Sequence, residues 1–306
     1  IAKYEFRTGN GFTAYDTSGV DPAADLTLSG TVNWVGGWGL SFGPGSKAQA
    51  STGASKKLHD MILATGEFTI EAWVAPANVT QDGAYIVSYS GGTDARNFTL
   101  GQSKFDYAAY LRSSQTDANG MPTLSTTDDA RLAQASLQHV VVTYDPVNGR
   151  RIYVNGVFTG DVDKQTGGTL GNWDNTFALV LGNEVSGNRS WAGVIRMVVI
   201  HNRALTDAQI RQNFAAGVGE KYFLLFNVEQ PTGVAKAYVM FQVSQYDSYS
   251  YLFEKPTFIS LDPAAKPDGI VIKGIRIGIN GVVPNIGQAY IPLSTTVTSS
   301  NYFPGQ

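Results

Sequence analysis

Apolar and polar residues alternate in short segments along most of the chain, and turn-forming residues separate these segments. In the clearest segment every second residue from Phe68 to Val74 is apolar, whereas Thr69, Glu71 and Trp73 point the other way. Successive side chains of a strand face opposite sides of the sheet, so a period of two predicts a strand with one buried face. The 306 residues include 34 glycines and only 15% charged residues, which also favours a turn-rich, all-β fold.

One tight hairpin and one helix are signalled by local motifs. Asn155-Gly156 lies between two β-type runs, and this dipeptide supplies the two positive φ angles that a type I′ turn requires. A helix is predicted over Thr206–Ala216, with Thr206 and Gln209 as a capping box and Gly217 at the end. A weaker helical turn is predicted at Lys56–Leu63.

The β pattern resumes directly after Gly217, without a Pro-, Gly- or Ser-rich linker. Further strands are predicted at residues 222–228, 237–243, 249–253, 270–279 and 288–293. The length exceeds that of one ordinary domain of roughly 100–200 residues. We therefore predict two β modules, 1–217 and 218–306.

Composition excludes several classes of function. The formal net charge is −3, which gives no electrostatic basis for binding nucleic acid. There is no cysteine, so disulfides, thiolate catalysis and cysteine-based zinc sites are excluded, and the composition is typical of secreted bacterial proteins. No apolar run approaches the roughly 18 residues of a membrane-spanning helix. The chain begins at Ile1, so we expect it to be part of a larger parent protein.

Three stretches, in order and at suitable spacing, resemble the laminin-G-like, concanavalin A-like jelly-roll family in its bacterial secreted branch. They are Gly66–Pro76, then His139–Asp145 continuing into Arg151–Gly156, and finally Gly193–Asn213. The opening residues 4–19 are similar to the first strand of that family, so the resemblance covers residues 1–217. It implies a sandwich of two antiparallel sheets with loops at the rim. Residues 218–306 show a β pattern and no resemblance to a named family.

This sandwich serves lectins, carbohydrate-binding modules, adhesion domains, lyases and glycosidases, so the fold does not decide the function. Glycoside hydrolysis normally requires two carboxylates about 5–9.5 Å apart. The chain has seven glutamates, and Glu71 lies alone on its predicted strand. There is neither a Gly-x-Ser-x-Gly nor a His-Glu-x-x-His motif. We therefore predict no catalytic residues, while a lyase with a Tyr/His pair stays an alternative.

Calcium is the cofactor that the resemblance implies. The turn Asp16-Thr-Ser-Gly19 resembles the calcium-bearing N-terminal segment of the family, so Asp16 and the carbonyl of Gly19 are candidate ligands. In the late strand Arg196 stands where relatives carry a carboxylate ligand. Its guanidinium could pair with Asp16 in place of the ion, and an ordinary Asx turn is a third interpretation of the segment.

Tryptophan rings in polar loops are the usual means of binding sugars, because an apolar sugar face stacks on a ring while amide and guanidinium groups bind the hydroxyls. Trp173 and Trp191 occur in such sequence, beside Asn175 and Arg189 respectively. These four residues are the candidate ligand contacts. The alternative for each tryptophan is packing beneath a loop.

The sequence thus favours a non-catalytic carbohydrate-binding or adhesion module of a secreted or surface-attached bacterial protein, whose partner is a glycan or an extracellular protein. The alternatives are a polysaccharide lyase or glycoside hydrolase, and a structural component of an extracellular assembly.

Overall fold

A computed structural model describes residues 1–35, 39–127 and 130–218, together with the backbone of five strands between 222 and 297. The chain divides into two compact units. The first consists of residues 1–34 and 38–217, and the second consists of residues 35–37 and 218–306. That they correspond to two separate functional domains, 1–217 and 218–306, stays a prediction.

The described elements are almost all strands, as the alternating pattern predicts. In chain order they are β1 (Ala2–Tyr4), β2 (Thr13–Ala14), β3 (Leu26–Ser29), β4 (Val32–Trp34), β5 (Leu40–Phe42), β6 (Lys47–Ala50), α1 (Thr52–Thr65), β7 (Phe68–Pro76), β8 (Ala84–Gly92), β9 (Ala95–Ser103), β10 (Asp106–Leu111), β11 (Leu124–Ser125), β12 (Gln138–Asp145), β13 (Gly149–Val154), β14 (Val157–Val162), β15 (Ala178–Leu181), β16 (Gly193–His201), α2 (Asp207–Ala216), β17 (Tyr222–Glu229), β18 (Lys236–Val243), β19 (Ile270–Ile277), β20 (Tyr290–Ile291) and β21 (Thr295–Val297).

Two antiparallel sheets form the first unit. Sheet A has the strand order β14-β13-β12-β7-β16-β5-β4, with β1 also paired to β16. Sheet B has the order β11-β10-β9-β8-β15-β6-β3-β2. The described strands of the second unit form one antiparallel sheet of order β18-β17-β19-β20, with β21 paired to β19. The predicted all-β sandwich is confirmed, and the predicted strand at 249–253 lies outside the described residues.

The core of the first unit lies between sheets A and B. Phe68 and Ile70 of β7 and Phe98 and Leu100 of β9 are buried there with the other inward-facing apolar side chains. Trp73, on the opposite face of β7, points away from this core, as its place in the alternation predicts, and its ring stacks on Phe214 of α2.

Helix α1 is longer than the predicted turn at Lys56–Leu63. It begins after Ser51, whose side chain accepts a hydrogen bond from the backbone N–H of Ala54, and ends at Gly66 with a φ of 72°. The N–H of Gly66 donates to the carbonyl of Ile62, which satisfies the last turn. Ser51 as the N-cap and Gly66 as the C-cap are the two sequence signals that define the full length of α1.

The structure confirms helix α2 and the tight hairpin that the local motifs predict. Thr206 caps α2 with the reciprocal bonds to Gln209 that define a capping box. The helix covers the outer face of sheet A, where Leu205 and Ile210 pack on Val141 and Tyr153. At the β13–β14 turn, residues 155 and 156 have φ angles of 51° and 77°.

No helix among the residues that the structure describes is both long and apolar enough to span a bilayer.

Candidate functional site

A cavity of about 470 Å³ lies at the rim of the first unit, where the edge strands of the two sheets meet. It is lined by the end of β10 and parts of the following segment up to Leu124, by Tyr144, and by Gly149 and Arg150 at the start of β13. Val162 at the end of β14 and residues between 163 and 168 complete the lining. We call this cavity the rim pocket. Its volume is in the range of about 300–1,000 Å³ that is usual for small-molecule sites.

The lining of the rim pocket includes an ion pair between the buried Arg150 and the half-buried Asp163. The Nη2 atom of Arg150 lies 2.6 Å from Oδ1 of Asp163, and Nε lies 3.1 Å from both carboxylate oxygens. The backbone N–H of Arg150 donates to the same carboxylate at 2.7 Å. The pair is therefore multidentate, and its two charges neutralise each other beneath the cavity.

Arg150 also links the two sheets. Its Nη1 donates to the carbonyl of Ala109 on β10 at 2.7 Å, and Nη2 donates to the carbonyl of Pro122 at 2.8 Å. Arg150 belongs to sheet A and Ala109 to sheet B, so one guanidinium fixes the separation of the two edges.

Glycine is required beside this pair. Gly149 has a φ of 73°, and a Cβ there would lie 2.9 Å from Oδ2 of Asp163. Both the backbone conformation and the space favour a residue without a side chain.

Tyr144 forms one wall, and its hydroxyl donates to the carbonyl of Gly168 at 2.6 Å. Burial, assisted by the charges of Asp163 and Asp145, raises the pKa of Tyr144 to about 12. The hydroxyl is therefore protonated at neutral pH and attaches Gly168 to the wall of the pocket.

The main chain of the segment after β10 is held in place by hydrogen bonds with residues 169–173. The indole Nε1 of Trp173 donates to the carbonyl of Arg112 at 2.6 Å, and Nδ2 of Asn172 donates to the carbonyl of Ser113 at 3.0 Å. Ser114 adds a backbone bond to the carbonyl of Thr169 at 2.9 Å. These bonds fix the main chain and leave the outward side chains free.

Four polar side chains of the lining make no hydrogen bond or ion pair within the part of the chain that the structure describes. They are Gln115, Lys164, Gln165 and Thr166. Apolar side chains of Leu111, Pro122 and Val162 lie beside them. Free amide, hydroxyl and ammonium groups next to apolar surface can bind a molecule that carries both hydroxyl groups and apolar C–H faces.

The described lining holds one carboxylate, that of Asp163, and it is engaged by Arg150. All three histidines of the chain lie in the described part, and none of them lines the pocket. The pocket therefore lacks, among its described residues, both the carboxylate pair of a glycosidase and the Tyr/His pair of a lyase.

The structure corrects the role assigned to the two tryptophans. Trp191 is completely buried, and its Nε1 donates to Oε1 of Gln102 at 2.7 Å. Trp173 is 6% exposed and packs against Phe68, Tyr89 and Phe98. Neither ring offers a free face on which a sugar could stack, because both rings are buried in the hydrophobic core.

The other two predicted contacts lie outside the rim pocket. Asn175 is exposed in the loop before β15. Arg189 is half-buried, with its guanidinium carbon 5.8 Å from the centre of the Tyr85 ring. The structure gives neither residue a place in the lining.

The segment predicted to bind calcium does not have a free ligand set. Both oxygens of the Asp16 carboxylate accept hydrogen bonds, among them one from the ammonium of Lys57 at 2.5 Å. Burial alone raises the pKa of Asp16, but the bonds from Lys57 and from the backbone of Ala24, Ser18 and Lys3 outweigh it and lower the pKa to about 2.

The bond from the Ser18 N–H to Oδ1 makes the segment an Asx turn, which was one of the predicted alternatives. Gly19 is exposed with a φ of 72°. No group of three or more His, Asp or Glu side chains suited to a metal occurs among the described residues. The partner of Asp16 is Lys57 and not the predicted Arg196, which is buried in β16 with a pKa lowered to about 10 by burial.

The sequence profile of the concanavalin A-like lectin/glucanase superfamily matches residues 49–211, which is more than half of the chain. The chain belongs to this superfamily. The matched range includes the strands that enclose the rim pocket, and it confirms the predicted resemblance. Comparison with curated protein sequences gives no match.

Solved structures with the same fold include two botulinum neurotoxin domains. The receptor-binding domain of the C/D mosaic serotype has a TM-score of 0.53 at 12% identity, over 92% of this chain and 71% of that one. A structure described as showing that cell entry of type C neurotoxin depends on two ganglioside molecules has a TM-score of 0.53 at 13% identity, over 94% and 79%. A Trypanosoma rangeli sialidase with difluorosialic acid has a TM-score of 0.50 at 20% identity, over 70% and 32%. These identities support likeness of fold alone.

Proposed function

We propose that the first unit is a non-catalytic recognition module and that the rim pocket binds a saccharide. The observation that carries the proposal is the set of unengaged polar side chains at Gln115, Lys164, Gln165 and Thr166 around a cavity of about 470 Å³. A sugar residue presents hydroxyls around its edge and C–H groups on its faces. Amide and hydroxyl side chains can bind the former, and Leu111, Pro122 and Val162 can contact the latter.

The charges of the pocket favour a neutral or acidic saccharide over a basic one. Arg150 and Asp163 neutralise each other, whereas Lys164 is exposed and has no acidic partner among the described residues. One net positive charge at the edge of the cavity suits a hydroxyl-rich ligand, with or without a carboxylate.

Membership of the concanavalin A-like lectin/glucanase superfamily supports saccharide binding, since lectins belong to it by name. Two structural neighbours, the receptor-binding domain of the C/D mosaic neurotoxin and the type C neurotoxin whose cell entry depends on two ganglioside molecules, also support it. The absence of a second carboxylate among the described lining residues supports binding without hydrolysis.

The test is a glycan-array screen of the full chain, followed by calorimetric titration of each hit. Gln115→Ala and Gln165→Ala remove amides that face the cavity, so each is expected to weaken binding about tenfold, the value of one lost hydrogen bond. Gln134→Ala is the matched control, because Gln134 is exposed and its side chain likewise makes no hydrogen bond within the described residues.

Equal affinity of the Gln115, Gln165 and Gln134 variants would place the ligand elsewhere and refute the role of the rim pocket. Each hit should also be incubated with the protein and analysed for new reducing ends or unsaturated products. Turnover would favour the predicted alternative of a lyase or hydrolase.

We further propose that the module acts outside the cell, where its partner is a surface glycan or an extracellular protein. The cysteine-free composition and the superfamily support this location. Detection of the protein by antibody on intact, unpermeabilised source cells or in their medium tests it, and detection only after lysis would contradict it.

A further inference from the structure

The carboxylate of Asp16 is completely buried and fully hydrogen-bonded. Oδ1 accepts from the backbone N–H of Lys3 and of Ser18, both at 3.0 Å. Oδ2 accepts from the backbone N–H of Ala24 at 3.1 Å and from Nζ of Lys57 at 2.5 Å. An ionised carboxylate has about four lone-pair sites, so none is left for another ligand.

Lys57 brings a second set of contacts to the same place. Its side chain is 3% exposed and that of Asp16 is 0% exposed, so both charges lie out of water. Nζ of Lys57 also donates to the carbonyl of Val20 at 2.7 Å. One ammonium on α1 thus contacts a carboxylate and a backbone carbonyl from a single turn, which are the types of oxygen that a calcium ion would take.

We propose that the ammonium of Lys57 takes the place of a structural metal ion in this fold. It neutralises Asp16 and attaches the 16–24 segment to helix α1, so the first unit keeps this segment in place without calcium. The inference concerns the stability of the fold and is independent of the proposed ligand of the rim pocket.

Both partners of the Asp16–Lys57 pair are buried, which makes the loss of either one costly. A buried carboxylate without a counter-charge is strongly unfavourable, and removal of one partner of a buried pair destabilises a protein far more than removal of an exposed one. Lys56, the preceding residue, provides the comparison within α1, because it forms an exposed pair with Asp60.

The experiment measures thermal unfolding of the full chain by circular dichroism in EDTA and in 5 mM calcium chloride. The wild-type midpoint is expected to be the same in both within about 1 °C. Lys57→Met is expected to lower the midpoint by about 10 °C, whereas Lys56→Met should change it by no more than about 2 °C.

A rise of the wild-type midpoint in calcium, or a fall in EDTA, would overturn the proposal even if Lys57→Met did not fold. Equal midpoints for Lys57→Met and Lys56→Met would overturn it as well. Lys57→Ala adds a chemical test, since ethylammonium chloride should raise its midpoint more than an equal concentration of sodium chloride. Equal effects of the two salts would contradict the requirement for a buried ammonium.

Discussion

The carboxylate of Glu71 and the imidazole of His139 face each other beneath helix α2, with Oε1 and Nε2 3.7 Å apart. Both side chains are buried, and Nδ2 of Asn213 on the helix donates to Oε2 of Glu71 at 2.8 Å. The ring of Trp73 stacks on His139 with centroids 4.7 Å apart. A polar cluster therefore contributes to the attachment of α2 to sheet A.

Glu71 of this cluster and His201, which interacts with it electrostatically, make the stability of the first unit dependent on pH. Burial lowers the pKa of His201 from 6.5, although Glu71 raises it in part. Burial raises the pKa of Glu71, but the interaction with His139 at 3.7 Å and the hydrogen bond from Asn213 outweigh this effect, and the pKa lies below 4.5. Both groups have a lower pKa in the folded state, so their contribution is present above the unfolded values and is lost as the pH falls. The unfolding midpoint should decrease below about pH 6.5 and again below about pH 4.5.

Circular dichroism melts between pH 8 and pH 3 measure this dependence. His201→Gln should flatten the profile between pH 7 and pH 5, and Glu71→Gln should flatten it below pH 4.5. A His201→Gln profile that retains the wild-type slope in the upper range would show that another group is responsible.

Arg150→Met is expected to destabilise the first unit by about 3–5 kcal/mol, because it leaves the carboxylate of Asp163 without its counter-charge. Urea denaturation followed by tryptophan fluorescence provides the measurement. Arg151→Met is the control, since Arg151 is less buried and its Nη2 donates to Oδ1 of Asn148 instead of to a carboxylate. Similar losses in the two variants would argue against a special role for the Arg150–Asp163 pair.

Gly149→Ala should also destabilise, by at least about 1–2 kcal/mol, because the positive φ is unfavourable for alanine and the new Cβ would approach Asp163. Gly53→Ala is a control of opposite sign. Gly53 lies in α1 with open space around a built Cβ, so alanine there should stabilise by up to about 1 kcal/mol. Urea denaturation of both variants measures the change in the free energy of unfolding. An unchanged free energy for Gly149→Ala would contradict the crowding described beside Asp163.

Thr206→Ala removes the cap of α2 and should lower the free energy of unfolding by about 1 kcal/mol. Thr206→Ser retains a hydroxyl in the same position and should recover most of that loss. If serine and alanine are equally destabilising, the effect comes from the lost methyl group and not from the cap.

Much of the fold could be predicted because its signals are local. The alternation in 68–74, the Asn155-Gly156 turn and the Thr206–Gln209 box each depend on residues within a few positions of one another. Helix α1 was predicted too short because its interior mixes polar and apolar residues, so the Ser51 cap and the Gly66 stop carry most of the signal.

The rim pocket could not be predicted in the same way. Arg150 and Asp163 of the pocket are separated by a hairpin, so no sequence motif joins them. The same holds outside the pocket for Asp16 and Lys57, which are separated by several strands. The tryptophans were assigned by residue type and loop-like context. Context of this kind does not reveal whether the ring is exposed, and the rings of Trp173 and Trp191 are buried in the core.

The buried Trp173 and the exposed Asn172 bind the main-chain carbonyls of Arg112 and Ser113, while the exposed side chain of Gln115 takes no part in that anchoring. The main chain of this part of the wall is thus held by residues other than the unengaged polar side chains of the lining. Substitutions at 115 or 164–166 can change what this surface recognises while the scaffold persists, so homologues with divergent preferences should differ at these positions before they differ at the anchors.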